Sequence, residues 1–404
     1  MLDILALLQV SAAFIGISPF VFHWIRMKKY SNQSMKIPPE PSSWPSLTIV
    51  LPVWNEEMVI QKKLEDLVKQ DYPKDKMEIL VIDSNSSDST MDIFHKWNSE
   101  HSHDVKVKSI QMPSRLGKSA AINRILLEPL DTDAIVITDA DALLADGALR
   151  RIGRWLSNPN IGAVCGSQQI LGNSESNHII DEKTYRSFYH DLRIGESTVF
   201  SSPIFEGSLA AYRNSLVLGH QIDATYNADD SQLALLINRS GSRSIMDSEL
   251  CFFEYLPSSK EAASIRRLRR ASGLVHLFSR NKPASFSSIN RNFSRIMRIE
   301  SWIHLIMPLL VLISLISMFF HIFISAFSVV TDVPLQVNHT GLLIIDSLFL
   351  AFLLFGNKLR ISLILRSFFV SQWALIVANF GMYKGVDYRY WEQDIESRKS
   401  LIEK

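Results

Sequence analysis

Asp139 and Asp141 stand one residue apart at the end of the apolar run Ala134-Ile135-Val136-Ile137-Thr138. That run, rich in β-branched side chains, reads as a buried strand. Ligands of open α/β sheets bind at the carboxyl ends of strands. Two carboxylates there make a hard-oxygen pair suited to Mg²⁺ or Mn²⁺ and, through the ion, to a diphosphate. An Asp-X-Asp after a strand is more often a solvated turn. The pair gains weight from the acidic and basic clusters at the ends of neighbouring strands.

The run Leu51-Pro52-Val53-Trp54-Asn55-Glu56-Glu57 puts polar and acidic groups between a strand and a helix. Asn55 reads equally as the helix N-cap, with Glu56 and Glu57 favoured in the first turn by the dipole. Asp83, after Val81-Ile82, is positioned to accept from a base or ribose, and Asp88 or Ser89 caps the next helix. Arg115-Leu116-Gly117-Lys118-Ser119 ends like a P-loop, but Met112 stands where that loop needs a glycine, so a Walker site is excluded. A basic pair there can still hold a diphosphate at a helix N-terminus. Asp229 and Asp230 open an amphipathic helix, where carboxylates serve as caps or, at Asp230, as a general base. Glu206-Gly207-Ser208 offers a tight turn and a second candidate acid. Arg266, Arg267, Arg269 and Arg270 form one basic face, fit for lipid headgroups or for phosphate.

These clusters need a scaffold. Strand-like runs at Leu47 to Val53, Glu78 to Asp83, Val105 to Ile110 and Ala134 to Thr138 alternate with helical patterns at Glu56 to Gln70, from Ser89, Leu116 to Leu127 and Gly147 to Leu156. That rhythm predicts an α/β domain with a doubly wound sheet. The chain of 404 residues divides into an anchor (1–29), a Pro-rich linker (30–45), this domain (46–258), basic amphipathic helices (259–300), a transmembrane region (301–383) and a polar tail (384–404). Residues 4–25 hold no Lys, Arg, Asp or Glu and are long enough to span a bilayer. Arg26, Lys28 and Lys29 follow, which puts the next domain in the cytosol. Three further spans are expected at 302–330, 341–356 and 361–382, the last also readable as re-entrant; Asp346 and Arg366 interrupt them. The charge rule leaves the side of the tail open: Lys358 and Arg360 fit an inside loop, while three spans would put Lys384, Arg389, Arg398 and Lys399 outside. Net charge is +1, which points to no nucleic-acid partner. Cys165 and Cys251 are the two cysteines, each in an apolar run, as in reduced core thiols.

Taken in order over residues 47–275, these motifs resemble the family 2 glycosyltransferases, especially the membrane-integrated cellulose, chitin, hyaluronan and poly-N-acetylglucosamine synthases. The resemblance implies a GT-A-like domain with one N-terminal and about three C-terminal membrane helices. Pro52, Asn55 and Glu57 resemble the opening Pro-x-x-Asn-Glu-Glu, and Asp83 the nucleoside-contacting Asp. Gly117, Lys118 and Asn123 resemble the Gly-Lys…Asn segment. Asp139-Ala140-Asp141 resembles the Asp-x-Asp, implying Asp139 on the nucleotide and Asp141 on the metal, with both in the metal set. Glu206, Gly207 and Ser208 resemble the acceptor-side Phe-Cys-Gly-Ser, Glu206 replacing Cys. Asp229-Asp230 stands for Glu-Asp, implying Asp230 as base. Pro257 to Gly273 resembles the stretch ending Gln-x-x-Arg-Trp, with Arg269 kept on phosphate, Arg266 in place of Gln and Arg270 in place of Trp. Loss of that Trp removes an aromatic platform for a growing glycan, and Arg270 suits an acceptor bearing phosphate or carboxylate.

The expectation is an inverting transferase at the plasma membrane with a cytosolic site. It would use Mg²⁺ or Mn²⁺ and move a sugar from a nucleotide-diphosphate sugar to a lipid-linked or growing glycan acceptor. A processive synthase, a non-catalytic nucleotide-sugar-binding subunit and a transporter with a soluble lobe are the alternatives; oligomeric state is left open.

Overall fold

The computed structural model describes residues 1–404 apart from 34, 101–104, 173–176, 258, 332–333, 356–359, 389–392 and 403–404. Lys358 and Arg389, which entered the charge rule, lie outside the described residues.

Eight strands form one mixed sheet: β1 (Leu47–Val53), β2 (Met77–Asp83), β3 (Lys106–Gln111), β4 (Ala134–Thr138), β5 (Leu143–Leu144), β6 (Ile161–Leu171), β7 (Leu209–Arg213) and β8 (Arg243–Tyr255). Their order is β3-β2-β1-β4-β7-β6-β8-β5. β1, β2, β3 and β4 pair in parallel, and β7 runs antiparallel between β4 and β6. The sheet is buried on both faces because alternate residues feed two cores. Ile49, Leu51, Ile79, Val81 and Val136 enter one; Val50, Leu80, Ile82, Ile135 and Ile137 enter the other. That is why these strands read as continuous apolar runs.

The helices are α1 (Leu2–Ser31), α2 (Ile60–Lys69), α3 (Thr90–Glu100), α4 (Lys118–Leu126), α5 (Ala148–Ser157), α6 (Asn177–Val199), the single turn α7 (Asn214–Val217), α8 (Asp229–Arg239), α9 (Lys260–Arg280), α10 (Arg291–Ser301), α11 (Met307–Val330), α12 (Val337–Phe355), α13 (Arg360–Lys384) and α14 (Ile395–Ile402). Among the described residues three helices are long and apolar enough to cross a membrane: Leu2–Ser31, Arg291–Val330 and Ile361–Lys384, with Val337–Phe352 a shorter apolar one. The middle C-terminal span expected at 341–356 falls on α12, an apolar helix of 19 residues. α1 and α11 meet where Gly16 leaves room for Leu310. α6 crosses the end of α1 at Gly195, where a Cβ would stand 2.3 Å from Met27 O. At that crossing Arg193 lies 3.0 Å from Glu196 and 2.8 Å from Glu300, and His23 lies 3.2 Å from Glu196.

α13 returns to the sheet domain. Its Ala374, Leu375 and Ala378 pack on Ala271 and Val275 of α9, and Asn379 Nδ2 donates to His304 O at 3.0 Å. The tail then docks on the same domain: Leu401 is buried in the large apolar core on one face of the sheet, where α14 packs on β8. α11 leaves the domain, and α12 with α13 leads back to it. The packing thus puts the tail beside the sheet domain.

Candidate active site

β1, β2 and β4 end side by side, and their loops build one end of the site. The helix expected from Glu56 begins at Ile60 instead. Asn55 is therefore not its N-cap. It adopts φ 56, a left-handed turn rarely taken outside glycine, and its Oδ1 accepts from Ser87 N at 2.8 Å. Glu57 Oε2 accepts from Ser89 N at 3.0 Å. Asp83, fully buried, accepts from Ser86 N at 3.0 Å and Ser86 Oγ at 2.6 Å. Asp88 Oδ1 takes the Thr90 amide at 3.0 Å, as expected of a cap. Pro52 lies within β1. These bonds stitch the β1 and β2 loops into one rim.

Gly117, at φ 85, turns the chain into α4, so Lys118 opens that helix. Its Nζ donates to Asp139 Oδ1 at 2.6 Å and to Gly207 O at 3.1 Å, and stands 3.9 Å from Asp229. Arg115, the other half of the expected basic pair, lies over the Trp54 ring instead. Ser208, expected on the acceptor side, ties to the donor side: its Oγ donates to Asp139 Oδ2 at 3.1 Å. Burial alone would depress the Lys118 ammonium, but Asp139 and Asp229 outweigh it and hold it above its ordinary value. Burial likewise opposes ionisation of Asp139, and Lys118, Ser208 and Arg269 reverse this.

Asp141 carries on from the same turn. Asp139, Asp141 and Glu254 of β8 bring carboxylate oxygens within 4.8 Å of one another. Three hard oxygens fit Mg²⁺ or Mn²⁺ rather than a thiophilic metal. Burial raises Asp141 above the usual carboxylate range although Arg398 opposes it. Glu254 is a member that the sequence did not reveal; Arg266 lies 2.7 Å from it. Arg398 of α14 is another: it meets Glu56 through two bonds of 2.8 Å and stands 3.5 Å from Asp141.

A cavity of about 570 Å³ opens from Lys118 and Asp139 toward α6 and α9. The basic face of α9 supplies Arg266, Arg269 and Arg270 to its wall, and Glu206 and Asp230 face it too. Seven Lys or Arg side chains against four carboxylates line it, which suits an anionic occupant. Gly273 lets α9 approach closely; a Cβ there would stand 3.0 Å from Asn227 O. Ala228, at φ 83, then turns the chain so that Asp229 and Asp230 start α8 at the cavity wall. Burial, with Asp229 alongside, pushes Asp230 up to about 7. Burial, with Arg266 beside it, pushes Arg269 down to about 10, which leaves it charged at neutral pH. Glu206 lies 3.7 Å from Arg186 of α6. The predicted residues Lys118, Asp139, Glu206, Gly207, Ser208, Asp230, Arg266, Arg269 and Arg270 thus share one cavity; Pro52, Asn55, Glu57, Asp83 and Asp141 lie outside its lining, Asn55, Glu57 and Asp83 in the joined β1 and β2 loops.

The arrangement can hold a diphosphate beside a poised carboxylate base. The profile of Glycosyl transferase family 2 matches residues 48–218, and that of Glycosyl transferase family group 2 matches residues 134–377, more than half of the chain. The chain is 29% identical over 202 residues to "Probable glycosyltransferase YdaM" of Bacillus subtilis, 49% of this chain and 47% of that protein. It is 31% identical over 121 residues to the beta-monoglucosyldiacylglycerol synthase of a Synechocystis species, 30% of this chain and 25% of that protein. It is 24% identical over 196 residues to the poly-beta-1,6-N-acetyl-D-glucosamine synthase of Staphylococcus epidermidis, 48% of this chain and 46% of that protein. The matches thus span about half or less of these relatives. Among solved structures, the mannosyltransferase PcManGT from Pyrobaculum calidifontis, in complex with GDP-Man and Mn²⁺, superposes with TM-score 0.74 at 27% identity, over 93% of this chain and 98% of that one.

Proposed function

Because this chain belongs to glycosyltransferase family 2, we propose that it is a membrane-bound inverting enzyme that transfers a sugar from a nucleotide-diphosphate sugar to a hydroxyl of a lipid-linked or glycan acceptor. The supporting observation is a single cavity with the Lys118–Asp139 pair at one end and the raised Asp230 carboxylate in its wall.

The nucleotide lies along the rim built by Asn55, Glu57 and Asp83. Lys118 and Arg269 face the diphosphate and offset its charge. Asp139, Asp141 and Glu254 would hold Mg²⁺ or Mn²⁺, which supplies further positive charge at the leaving group. Asp230 takes the proton of the acceptor hydroxyl as its oxygen bonds to the anomeric carbon. The bond from that carbon to the diphosphate breaks, and the nucleoside diphosphate leaves with the electron pair. Arg270 and Arg186 line the acceptor half of the cavity and suit a phosphate or carboxylate on the acceptor. Apolar helices α1 and α11, with α12 and α13, hold the cavity at the cytosolic face of the plasma membrane, where a lipid acceptor is at hand.

The test is donor-dependent turnover of the detergent-solubilised chain across a panel of nucleotide sugars, with Mg²⁺ or Mn²⁺ and with or without polyprenyl phosphate. Release of nucleoside diphosphate from one donor, lost in Asp141→Ala, supports the reading. Intact nucleotide binding with no release from any donor or acceptor overturns it in favour of a binding subunit. A high-molecular-weight product would make the enzyme processive.

A further inference from the structure

α14 puts a guanidinium where the carboxylate cluster awaits a cation. Arg398 and Leu401, three residues apart, share one helical face, and both are buried, at 6% and 2% exposure. Leu401 enters the large apolar core on one face of the sheet. Lys62 Nζ donates to Leu401 O at 2.6 Å, and Gln393 Nε2 donates to Trp54 O at 2.5 Å. The tail is therefore anchored on both sides of Glu56. Arg398 Nε and Nη2 each donate to a Glu56 oxygen at 2.8 Å, and Nη2 also stands 3.5 Å from Asp141 Oδ2. An anchor alone needs Glu56 only. The approach to Asp141 brings the charge to the cluster that also contains Asp139 and Glu254.

We propose that Arg398 is the resident counter-ion of the donor site: it neutralises the carboxylate cluster in the empty enzyme, and a divalent cation with its nucleotide must displace it. The inference rests on the metal reading given above. Its reason is electrostatic. Four carboxylates (Glu56, Asp139, Asp141 and Glu254) converge on this corner; Lys118 pairs with Asp139 and Arg266 with Glu254, while Arg398 serves Glu56 and Asp141, which would otherwise repel and be costly to bury. A guanidinium cannot accept, so it cannot help coordinate an ion. An ion bound by Asp141 therefore meets a like charge a few ångströms away, which weakens its binding. Arg398 is thus a positioning residue: it bridges the Glu56 loop and Asp141 and keeps both ordered until the donor arrives. Loading the donor then loosens the grip of α14 on Glu56.

The experiment measures Mn²⁺ binding to the full chain in detergent, without nucleotide, from the free-ion resonance signal. Arg398→Gln should bind Mn²⁺ on the order of tenfold more tightly than the parent, and Arg398→Lys less so, since only its charge competes. Leu401→Asp undocks α14 without touching the site and should tighten binding in the same way, which decides the matter where Arg398→Gln folds poorly. Unchanged or weaker Mn²⁺ binding in both variants overturns the inference. Asp141→Ala separates this from failure of the metal reading. Binding lost in Asp141→Ala but unmoved in the tail variants sinks only the counter-ion. No Mn²⁺ binding in any form, parent included, sinks both.

Discussion

Lys118 Nζ stands 2.6 Å from Asp139 Oδ1, and the same ammonium reaches Asp229 at 3.9 Å. One cation therefore links the end of β4 to the start of α8, the donor end to the base. Lys118→Met would leave Asp139 facing a diphosphate with its neutraliser gone. Nucleotide affinity should fall on the order of 100-fold, because truncating one member of such a pair strands the other. Titration calorimetry with the nucleoside diphosphate measures it, and a change below threefold would remove Lys118 from the donor site.

Asp230 dictates the pH response. Burial and Asp229 raise it to about 7, so it is protonated below that pH and able to accept a proton above it. Turnover should climb about tenfold per pH unit at acidic pH and level off above about 7. Asp230→Asn should lose on the order of 100-fold or more in turnover, keep its nucleotide affinity and show no such limb. A variant that keeps both rate and limb would show that the nucleophile needs no base, as an attacking phosphate would not.

Metal removal probes the carboxylate trio. Chelation should abolish donor turnover, and Mn²⁺ or Mg²⁺ should restore it, whereas Zn²⁺ should do so poorly on an all-oxygen set. Glu254→Gln should raise the Mn²⁺ concentration needed for half-maximal rate several-fold while leaving the plateau nearer the parent's. Full activity in excess chelator would remove the ion from the chemistry.

β1, β2 and β4 were legible because each is buried on both faces and so carries a nearly unbroken apolar run; β1 and β4 have the bounds their residues announce. Lys118, Asp139 and Asp230 were legible because they sit at strand or helix ends, where the fold converges. Asn55 was half misread: Asn-Glu-Glu satisfies the pattern of a cap and first turn, but φ 56 bends the chain outward and delays the helix to Ile60. Glu254 and Arg398 gave no local signal. One lies within a long strand and the other in a polar tail beyond the apolar helices, and only the return of α13 brings that tail back.

Ala228 holds a left-handed turn at φ 83 to deliver Asp229 and Asp230. A non-glycine residue there costs about 1 kcal/mol or more. Ala228→Gly should stabilise the fold by up to about 1 kcal/mol, read as a higher Tm. It should also lower turnover several-fold, because a glycine hinge lets the start of α8, with Asp230, wander. A variant both more stable and equally fast would mean that the turn is not part of the catalytic geometry.

Arg193 joins the apolar helices to the cavity. It lines the cavity, and its guanidinium lies 3.0 Å from Glu196 on its own helix and 2.8 Å from Glu300 of α10. Both carboxylates are fully buried, so neither can turn to water once the arginine is gone. Arg193→Met keeps the length of the side chain but strands two charges, at a cost of about 3–5 kcal/mol. The expected result is a chain that unfolds at a much lower temperature in detergent, rescued in part by adding Glu300→Gln, which removes one stranded charge. Additive losses in the double variant would show that Arg193 and Glu300 do not act as a pair, and the link between α6 and α10 would then rest on apolar packing alone.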